Sequence, residues 1–462
     1  MSVEPGATAS LDLARTQRIH VIGVGGVGMS AVATVLASMG QHVSGSDLKA
    51  TAELERLAAV GVQAAVGHDP AHLDGVDVVA ISTAIPTSNI ELREARRRGI
   101  PVLRRAEVLA AISATRDTIA VAGTHGKTTT ASMLALVLAE AGLRPSFIIG
   151  GDINEVGSGA AWGSGRWLVV EADESDGTFL ALRPQMALVT NVEADHLDHY
   201  GSLAAMEAAF ETFLTAAPQT VVCSDDPVAA RMGGAVGAVT YGTGDGAEYR
   251  VVDVATARSS CRFSVDHQGQ MLGPFQLVVP GMHNALNACG ALVAALLAGA
   301  DVEPARRALG RYGGVARRFE FRGEHGGVTF VDDYAHLPSE VRAALAAAGG
   351  GGWERIVAVF QPHRYSRTAA LWHDFADAFV ESDVLVVTEI YGAGEVPRPG
   401  VSGQLVFDAV HAAHGGADVR YIPSHPDLVA FLRATLRPGD LCLTLGAGDL
   451  TLLPDELLEE PV

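Results

Sequence analysis

Short apolar runs alternate with amphipathic stretches along most of the chain, and glycine clusters punctuate the changes between them. The first run, Arg18–Ile22, enters Gly23-Val24-Gly25-Gly26-Val27-Gly28, and a helical period follows over Met29–Ser38. Further runs predict strands at His42–Ser46, Val62–Val66 and Val76–Ile81, with a charged helix at Glu91–Arg98. Strand and helix in alternation is the pattern of a parallel, doubly wound sheet. A polar stretch, Ser113 to Thr118, predicts a linker, after which the pattern restarts. Thr118–Ala122 predicts a strand, Gly123 to Thr130 a loop and Ala131–Ala141 a helix, with later strands at Trp167–Glu171, Met186–Asn191 and Thr220–Cys223. A β-rich patch from Tyr249 to Val279 leads to a turn at Gly281-Met282-His283-Asn284 and a long alanine-rich helix. A third restart at Gly313-Gly314 predicts strands at Val328–Val331, Arg355–Phe360, Val384–Thr388 and Leu441–Leu445, alternating with helices such as Ser339–Ala348. The expectation is three α/β domains, over residues 1–113, 114–313 and 314–462.

A length of 462 residues agrees with that number, and a hydrophobic fraction of 48% supplies separate cores. Charge narrows the function. Lys and Arg total 33 against 53 Asp and Glu, a net charge of −20, which argues against a nucleic-acid or anionic-membrane binder. An anionic substrate would need cations gathered locally. The longest apolar stretch, Gly290 to Ala300, is too short to span a bilayer, and the opening MSVEPGATAS lacks the basic and apolar regions of a signal peptide. Cys223, Cys261, Cys289 and Cys442 form no CxxC pair, so reduced thiols and a cytoplasmic location are expected, with a monomer or homodimer as the state. Only Lys49 and Lys127 among the 33 basic residues are lysine. A position that keeps Lys in so Arg-rich a chain is a candidate for chemistry that a guanidinium cannot perform.

Strand, GxGxxG, helix places backbone amides at a helix N-terminus, where they face a diphosphate. Gly23, Gly25, Gly26 and Gly28 carry that pattern, and Asp47 ends the next strand, where an acid accepts a hydrogen bond from a ribose hydroxyl. Ser82 and Thr83 stand at a strand's C-terminal end; their hydroxyls reach the same diphosphate or belong to a plain βα loop. The second cluster is more specific. In Gly123-Thr124-His125-Gly126-Lys127-Thr128-Thr129 the amides cradle phosphates, Lys127 reaches β and γ oxygens, and Thr128 offers a hydroxyl to Mg²⁺. Val121 stands where the general P-loop has its first glycine, so the loop is a shorter variant. Glu171, at the end of an apolar strand, is the second Mg²⁺ anchor that such a loop calls for. His196 ends a further strand's loop, either beside the metals or hydrogen-bonded within the loop.

Taken in order, these motifs resemble the Mur ligases of peptidoglycan synthesis from about Ile19 to Asp449. GVGGVGMS at Gly23, GTHGKTTT at Gly123, EADESD at Glu171 and TNVEADHLD at Thr190 all match. So do HNALNA at His283, GVARRF at Gly314, DDYAH at Asp332, QPHRYSRT at Gln361, YGAGE at Tyr391 and GAGD at Gly446. His125 within GTHGKTTT points to the branch that ligates the first amino acid or a preformed peptide. The resemblance implies an N-terminal Rossmann-like domain binding the UDP-sugar, a central P-loop ATPase-like domain and a C-terminal Rossmann-like domain binding the amino acid. It implies that ATP phosphorylates the lactyl carboxylate of UDP-N-acetylmuramate, and that the amine of L-alanine attacks the acyl phosphate.

Residue by residue, the resemblance implies Thr128 and Glu171 on one Mg²⁺ and His196 on a second, with Lys127 on the phosphates. His283, Asn284 and Asn287 become adenine and ribose contacts, and Arg318 and Asp333 the third domain's reach to the nucleotide. Arg364 and Arg367 resemble the pair that grips the amino acid's carboxylate, lined by Tyr334, His336 and His363. Leu337 stands where the family often has a second histidine, so only His336 carries over. A sister ligase that attaches a recycled tripeptide shares the loop and the HN motif; EADESD and EADHLDHY favour the alanine branch. Other Mur ligases carry a carbamylated lysine near the metals, which this chain, lacking any lysine after Lys127, cannot form. A non-catalytic NAD-binding protein would leave Lys127, the acids and the arginine pair without a role.

Overall fold

The computed structural model describes residues 11–459, apart from the side chains of Leu197 and Asp198. The segment MSVEPGATAS therefore lies outside the described residues. The N-terminal sheet contains β1 (Arg18–Ile22), β2 (His42–Asp47), β3 (Gln63–Val66), β4 (Val78–Ile81) and β5 (Val102–Arg104), in the order β3-β2-β1-β4-β5. Every pairing is parallel. Helices α1 (Val27–Ser38), α2 (Ala52–Ala59), α3 (Ile90–Arg98) and α4 (Arg105–Ser113) connect and follow the strands. Ile19, Val21 and Ile22 are all buried, as a strand covered on both faces requires. The strand order reverses between β1 and β4, so the loops after these two strands flank the crevice where such sheets take ligands.

A second sheet of ten strands begins with β6 (Asp117–Ala122), β7 (Ser146–Ile153), β8 (Ser158–Ala161), β9 (Trp167–Glu171) and β10 (Met186–Val189). It continues with β11 (Gln219–Cys223), β12 (Val239–Gly242), β13 (Tyr249–Ala257), β14 (Ser260–His267) and β15 (Gln270–Leu277). The order is β15-β14-β13-β12-β11-β10-β6-β9-β7-β8. β6 pairs in parallel with β10 on one side and β9 on the other, so the loops after β6, β9 and β10 emerge side by side. Helix α5 (Lys127–Glu140) follows β6, and Thr128 through Leu138 are buried along it, which accounts for apolar residues on all its faces.

The third sheet holds β16 (Glu320–His325), β17 (Val328–Asp333), β18 (Arg355–Phe360), β19 (Val384–Val387), β20 (Asp418–Tyr421) and β21 (Asp440–Leu445), in the order β16-β17-β21-β18-β19-β20. β16 is antiparallel to β17 and the rest is parallel. The loops after β17, β21 and β18 are therefore neighbours. By packing, the chain forms two compact units. One is Met1–Val252, Val265–Gly273 and Leu286–Leu309; the other is Asp253–Ser264, Pro274–Ala285 and Gly310–Val462.

The fold is three-domain α/β, as expected. The turn expected at Gly281 to Asn284 is a helix start instead: Met282 opens a helix that runs to Leu297. Among the described residues no helix is long and apolar enough to cross a membrane. All four cysteines are free and buried.

Candidate active site

The phosphate loop depends on two glycines. Gly123 has φ +136°, and a Cβ there would collide with the Thr190 hydroxyl; Gly126 has φ +75° and lies against the Asn287 amide. Lys127, the first residue of α5, curls back over this loop. Its ammonium donates to the Gly123 and Thr124 carbonyls at 2.5 and 3.1 Å and to Glu174 Oε1 at 2.9 Å. Burial works against the charge on Lys127, but the carboxylates of Glu174 and Glu171 outweigh it, so its pKa is raised. Glu174 is pushed up by burial to about 7, against the pull of Lys127. The proton of this pair belongs to Lys127, and Glu174 Oε2 is buried without a hydrogen-bond partner.

Thr128 Oγ1 donates to Glu171 Oε1 at 2.8 Å, and the Gly150 amide donates to Glu171 Oε2 at 2.6 Å. Thr128, Glu171 and the orphaned Glu174 oxygen are hard oxygen donors, the set that Mg²⁺ prefers. His196 occupies left-handed backbone, φ +52°, with Nε2 3.2 Å from Asp195 Oδ2 and 3.9 Å from Glu174 Oε1. The residues present therefore fit a Mg²⁺ site. His125 is held at the loop's crest: its amide donates to Asn191 Oδ1 at 2.8 Å and its ring Nε2 lies 3.2 Å from Glu193. Thr129 is buried beside Thr128. Asn287 braces the loop, accepting from Thr130 Oγ1 at 3.3 Å while packing on Gly126.

In the N-terminal sheet, the Gly23 and Val24 amides donate to the Ser46 carbonyl at 2.8 and 3.1 Å, and the Gly25 amide donates to Asp47 Oδ2 at 3.0 Å. Asp47 thus holds the glycine loop, in addition to any ligand contact. Gly26 caps α1, Ser82 is partly exposed and Thr83 exposed on the loop after β4. Sequence reasoning missed Arg105. Its guanidinium lies where a Cβ on Gly28 would come within 2.8 Å, and it donates to Asp173 Oδ2 at 2.7 Å, with Asp176 at 3.6 Å. Burial would raise the Asp173 pKa, but Arg105 and the Ser175 amide hold it down at about 2. One arginine thus ties the first glycine loop to the acidic segment after β9. Glu174 was missed for a related reason, since strand-end position singles out Glu171 and nothing in EADESD ranks the three acids after it.

In the second unit, the expected C-terminal residues form a connected cluster. Asp333 accepts from the Phe319 and Ala335 amides at 2.7 and 2.8 Å, and burial pushes it up to about 6 despite Arg318. Asp332, beside it, is committed to the fold through Thr444, Thr451 and Arg317. Arg317 and Arg318, of which only Arg318 was expected, both lie over the Tyr334 ring, at 4.9 and 5.0 Å. His283 is drawn down to about 4 by burial and by the Arg318 charge, so its ring is neutral at pH 7. Asn284 donates to the Pro280 carbonyl at 2.6 Å. His336 Nδ1 lies 2.9 Å from the Tyr334 carbonyl, which can only accept, so Nδ1 is the donor in that contact.

His336 meets His363 edge to face at 5.6 Å, and His363 stacks on Tyr391 at 5.8 Å. Arg367 Nη1 contacts His363 Nδ1 at 2.9 Å. Arg364 has φ +68°, a strained conformation for a non-glycine residue, and its Nε is buried without a partner. Leu337, in place of the family's histidine, is buried, its backbone opening the helix Pro338–Gly349.

Three family models match the chain: Mur ligase family, catalytic domain, over residues 18–117; Mur ligase middle domain, over 121–295; and Mur ligase, glutamate ligase domain, over 317–448. The sequence is 47% identical to the UDP-N-acetylmuramate–L-alanine ligase of Solidesulfovibrio magneticus, covering 96% of this chain and 98% of that one. It is 44% identical to the enzyme of the same name from an Anaeromyxobacter species, covering 97% and 99%. Among solved structures, the UDP-N-acetylmuramate–alanine ligase of Thermotoga maritima superposes with a TM-score of 0.81 at 30% identity, covering 96% of this chain and 98% of that one. A murein peptide ligase from Psychrobacter arcticus shares the fold, with a TM-score of 0.68 at 23% identity over 96% and 98%.

Proposed function

The chain belongs to the Mur ligase family, and from that premise we infer that it is an ATP-dependent ligase of peptidoglycan precursor synthesis. It joins L-alanine to the lactyl carboxylate of UDP-N-acetylmuramate and releases ADP and phosphate. The observation that carries this reading is the convergence of Lys127, Thr128, Glu171 and Glu174 on one phosphate loop, in a chain whose full-length relatives bear that activity. The test is phosphate release with UDP-N-acetylmuramate, ATP and one acceptor at a time. L-Alanine should support turnover well above the recycled tripeptide; the reverse order would assign the chain to the sister activity.

The chemistry joins two anions, so repulsion between carboxylate and γ-phosphate is the first barrier. A lactyl oxygen attacks the γ-phosphorus, ADP leaves, and the acyl phosphate forms. The amine then adds to the acyl carbon, loses a proton, and phosphate departs from the tetrahedral intermediate. We assign Lys127 to the β and γ oxygens, with the Gly123–Thr129 amides as the cradle. Thr128 and Glu171 would hold one Mg²⁺, and His196 a second, neutralising charge on the transferring phosphoryl group. We place His283, Asn284 and Asn287 at the nucleoside, with Arg318 and Asp333 reaching the same nucleotide. Asn287 does this while supporting Gly126. We assign His336, whose ring is oriented by the Tyr334 carbonyl on Nδ1, and Asp333 to take the amine's proton.

Replacing Glu171 by Ala removes one carboxylate ligand and leaves the Thr128 hydroxyl and Gly150 amide without an acceptor. Turnover should fall and then recover in part as Mg²⁺ is raised, because the phosphates still bind the ion. Activity at the wild-type level across the titration would make Glu171 a bystander.

We assign residues 1–113 to the UDP-sugar, 114–313 to ATP and 314–462 to the amino acid, and place the enzyme in the cytoplasm with its nucleotide substrates. Gly23, Gly25, Gly26, Gly28, Asp47, Ser82 and Thr83 form the sugar-nucleotide loops. Arg105 supplies a cation beside these loops, and its bond to Asp173 aligns that domain with the phosphate loop. Arg105→Lys keeps the charge but loses the fork. We expect it to raise the KM for UDP-N-acetylmuramate and lower kcat by about tenfold each; an effect on thermal stability alone would reduce Arg105 to a strut.

A further inference from the structure

Away from the phosphate loop, the N-terminal sheet buries a cluster that the ligase chemistry leaves unused. Glu91, at the start of α3, has no exposure, yet it faces three histidines from β1 and from the segment after β3. His72 Nδ1 lies 2.7 Å from Glu91 Oε1, His68 Nδ1 2.9 Å from Oε2, and His20 Nε2 3.6 Å from Oε2. Ser46 Oγ and the Asp69 amide donate to the same carboxylate at 2.5 and 3.1 Å.

His20 is the group that hydrogen bonding does not account for. Its ring is buried, with Nδ1 tied to Ser44 Oγ at 2.9 Å, and Nε2 has no hydrogen-bond partner. If Nδ1 is the donor to Ser44, Nε2 aims a lone pair at a carboxylate, which is repulsive. With the proton on Nε2 instead, a buried N–H lies too far from Glu91 for a normal bond. A cation between the two groups resolves both cases.

We propose that His20, His72 and Glu91 form a binding site for a divalent transition-metal ion, zinc being the best match. One ligand atom from each of the three residues lies within 4.8 Å of the others. Zinc bound by nitrogen and carboxylate oxygen at about 2.0–2.1 Å sets its tetrahedral ligands roughly 3.3 Å apart. The 3.6 Å between His20 Nε2 and Glu91 Oε2 is already close to that value; the 2.7 Å contact of His72 Nδ1 is with the other carboxylate oxygen, Oε1, and has to open. The Ser44 hydroxyl on His20 Nδ1 provides the outer partner that fixes a ligating ring. Imidazole and carboxylate together favour zinc over Mg²⁺, so the site is chemically distinct from the oxygen-rich phosphate loop. Zinc ligates neutral imidazole and ionised carboxylate, so binding competes with protons and weakens as pH falls.

The experiment is competition for zinc between the full-length protein and a chromophoric chelator, in excess Mg²⁺ and without nucleotide. One equivalent of zinc should be held, at least about tenfold more weakly in His20→Ala and in His72→Gln. His72 lies at the partly exposed edge of the cluster, and Gln retains a donor to Glu91, so this variant tests the site without depending on a core substitution. Its melting temperature without zinc should equal the wild type's, while zinc should raise only the wild type's. Failure of the wild type to retain one equivalent, or equal affinity in wild type and His72→Gln, would overturn the site.

Discussion

Lys127→Ala is expected to abolish ligation, lowering kcat by at least about 1000-fold, while UDP-N-acetylmuramate still binds. The ammonium touches two loop carbonyls and Glu174, all within the phosphate loop and its neighbouring acids, and none of its contacts involves the glycine loop after β1. Its loss also leaves Glu174 buried without a counter-charge, so Glu174 takes up a proton. Lys127→Arg should fail nearly as badly, because a planar fork cannot replace a compact ammonium folded over its own loop. Calorimetry with the sugar nucleotide separates binding from chemistry. A large loss of affinity in Lys127→Ala would contradict the assignment of the two ligands to different loops.

The second large effect is on the amino acid. Arg364→Lys and Arg367→Lys should each raise the KM for L-alanine by about 10- to 100-fold and leave the KM for ATP near the wild-type value. Arg364 supports this assignment: its backbone is strained at φ +68° and its Nε is buried without a partner, neither of which a surface ion pair would demand. Arg367 is oriented through His363, which stacks on Tyr391, so its guanidinium is positioned before ligand arrives. Lysine preserves the charge but not the two parallel bonds to a carboxylate. Steady-state kinetics decides the matter: an unchanged KM for L-alanine in both variants would place the carboxylate elsewhere.

Where apolar runs are continuous, the sequence was sufficient. β1, β6, β9 and β18 begin and end within one residue of expectation, because buried parallel strands carry their signal in every position. Elements without that signal were missed. β5 has only three residues, β7 contains Gly150 and Gly151, and β16 carries charges and a bulge at Phe321 to Gly323. Helix α5 starts four residues earlier than its apolar period suggests, since Thr128 to Thr130 are poor helix formers held by the loop before them.

The site divides in the same way. Lys127, Thr128 and Glu171 were legible because strand-end position and loop pattern fix their direction. Glu174 was not, because only the turn that returns the Phe179 amide to the Asp173 carbonyl aims it at Lys127. Nor was Arg105, whose partners lie 68 residues or more away along the chain. Asp332 and Asp333 are adjacent in sequence, and strand alternation alone separates the structural acid from the available one.

The central claim is that the lactyl carboxylate is activated by phosphorylation before L-alanine attacks, and isotope transfer tests it most directly. UDP-N-acetylmuramate carrying ¹⁸O in both carboxylate oxygens is turned over with ATP and L-alanine, and the released phosphate is examined by ³¹P NMR. One labelled oxygen should appear in each phosphate, because the acyl phosphate breaks between carbon and the oxygen that came from the carboxylate. Phosphate free of ¹⁸O, formed in step with the amide product, would contradict the account.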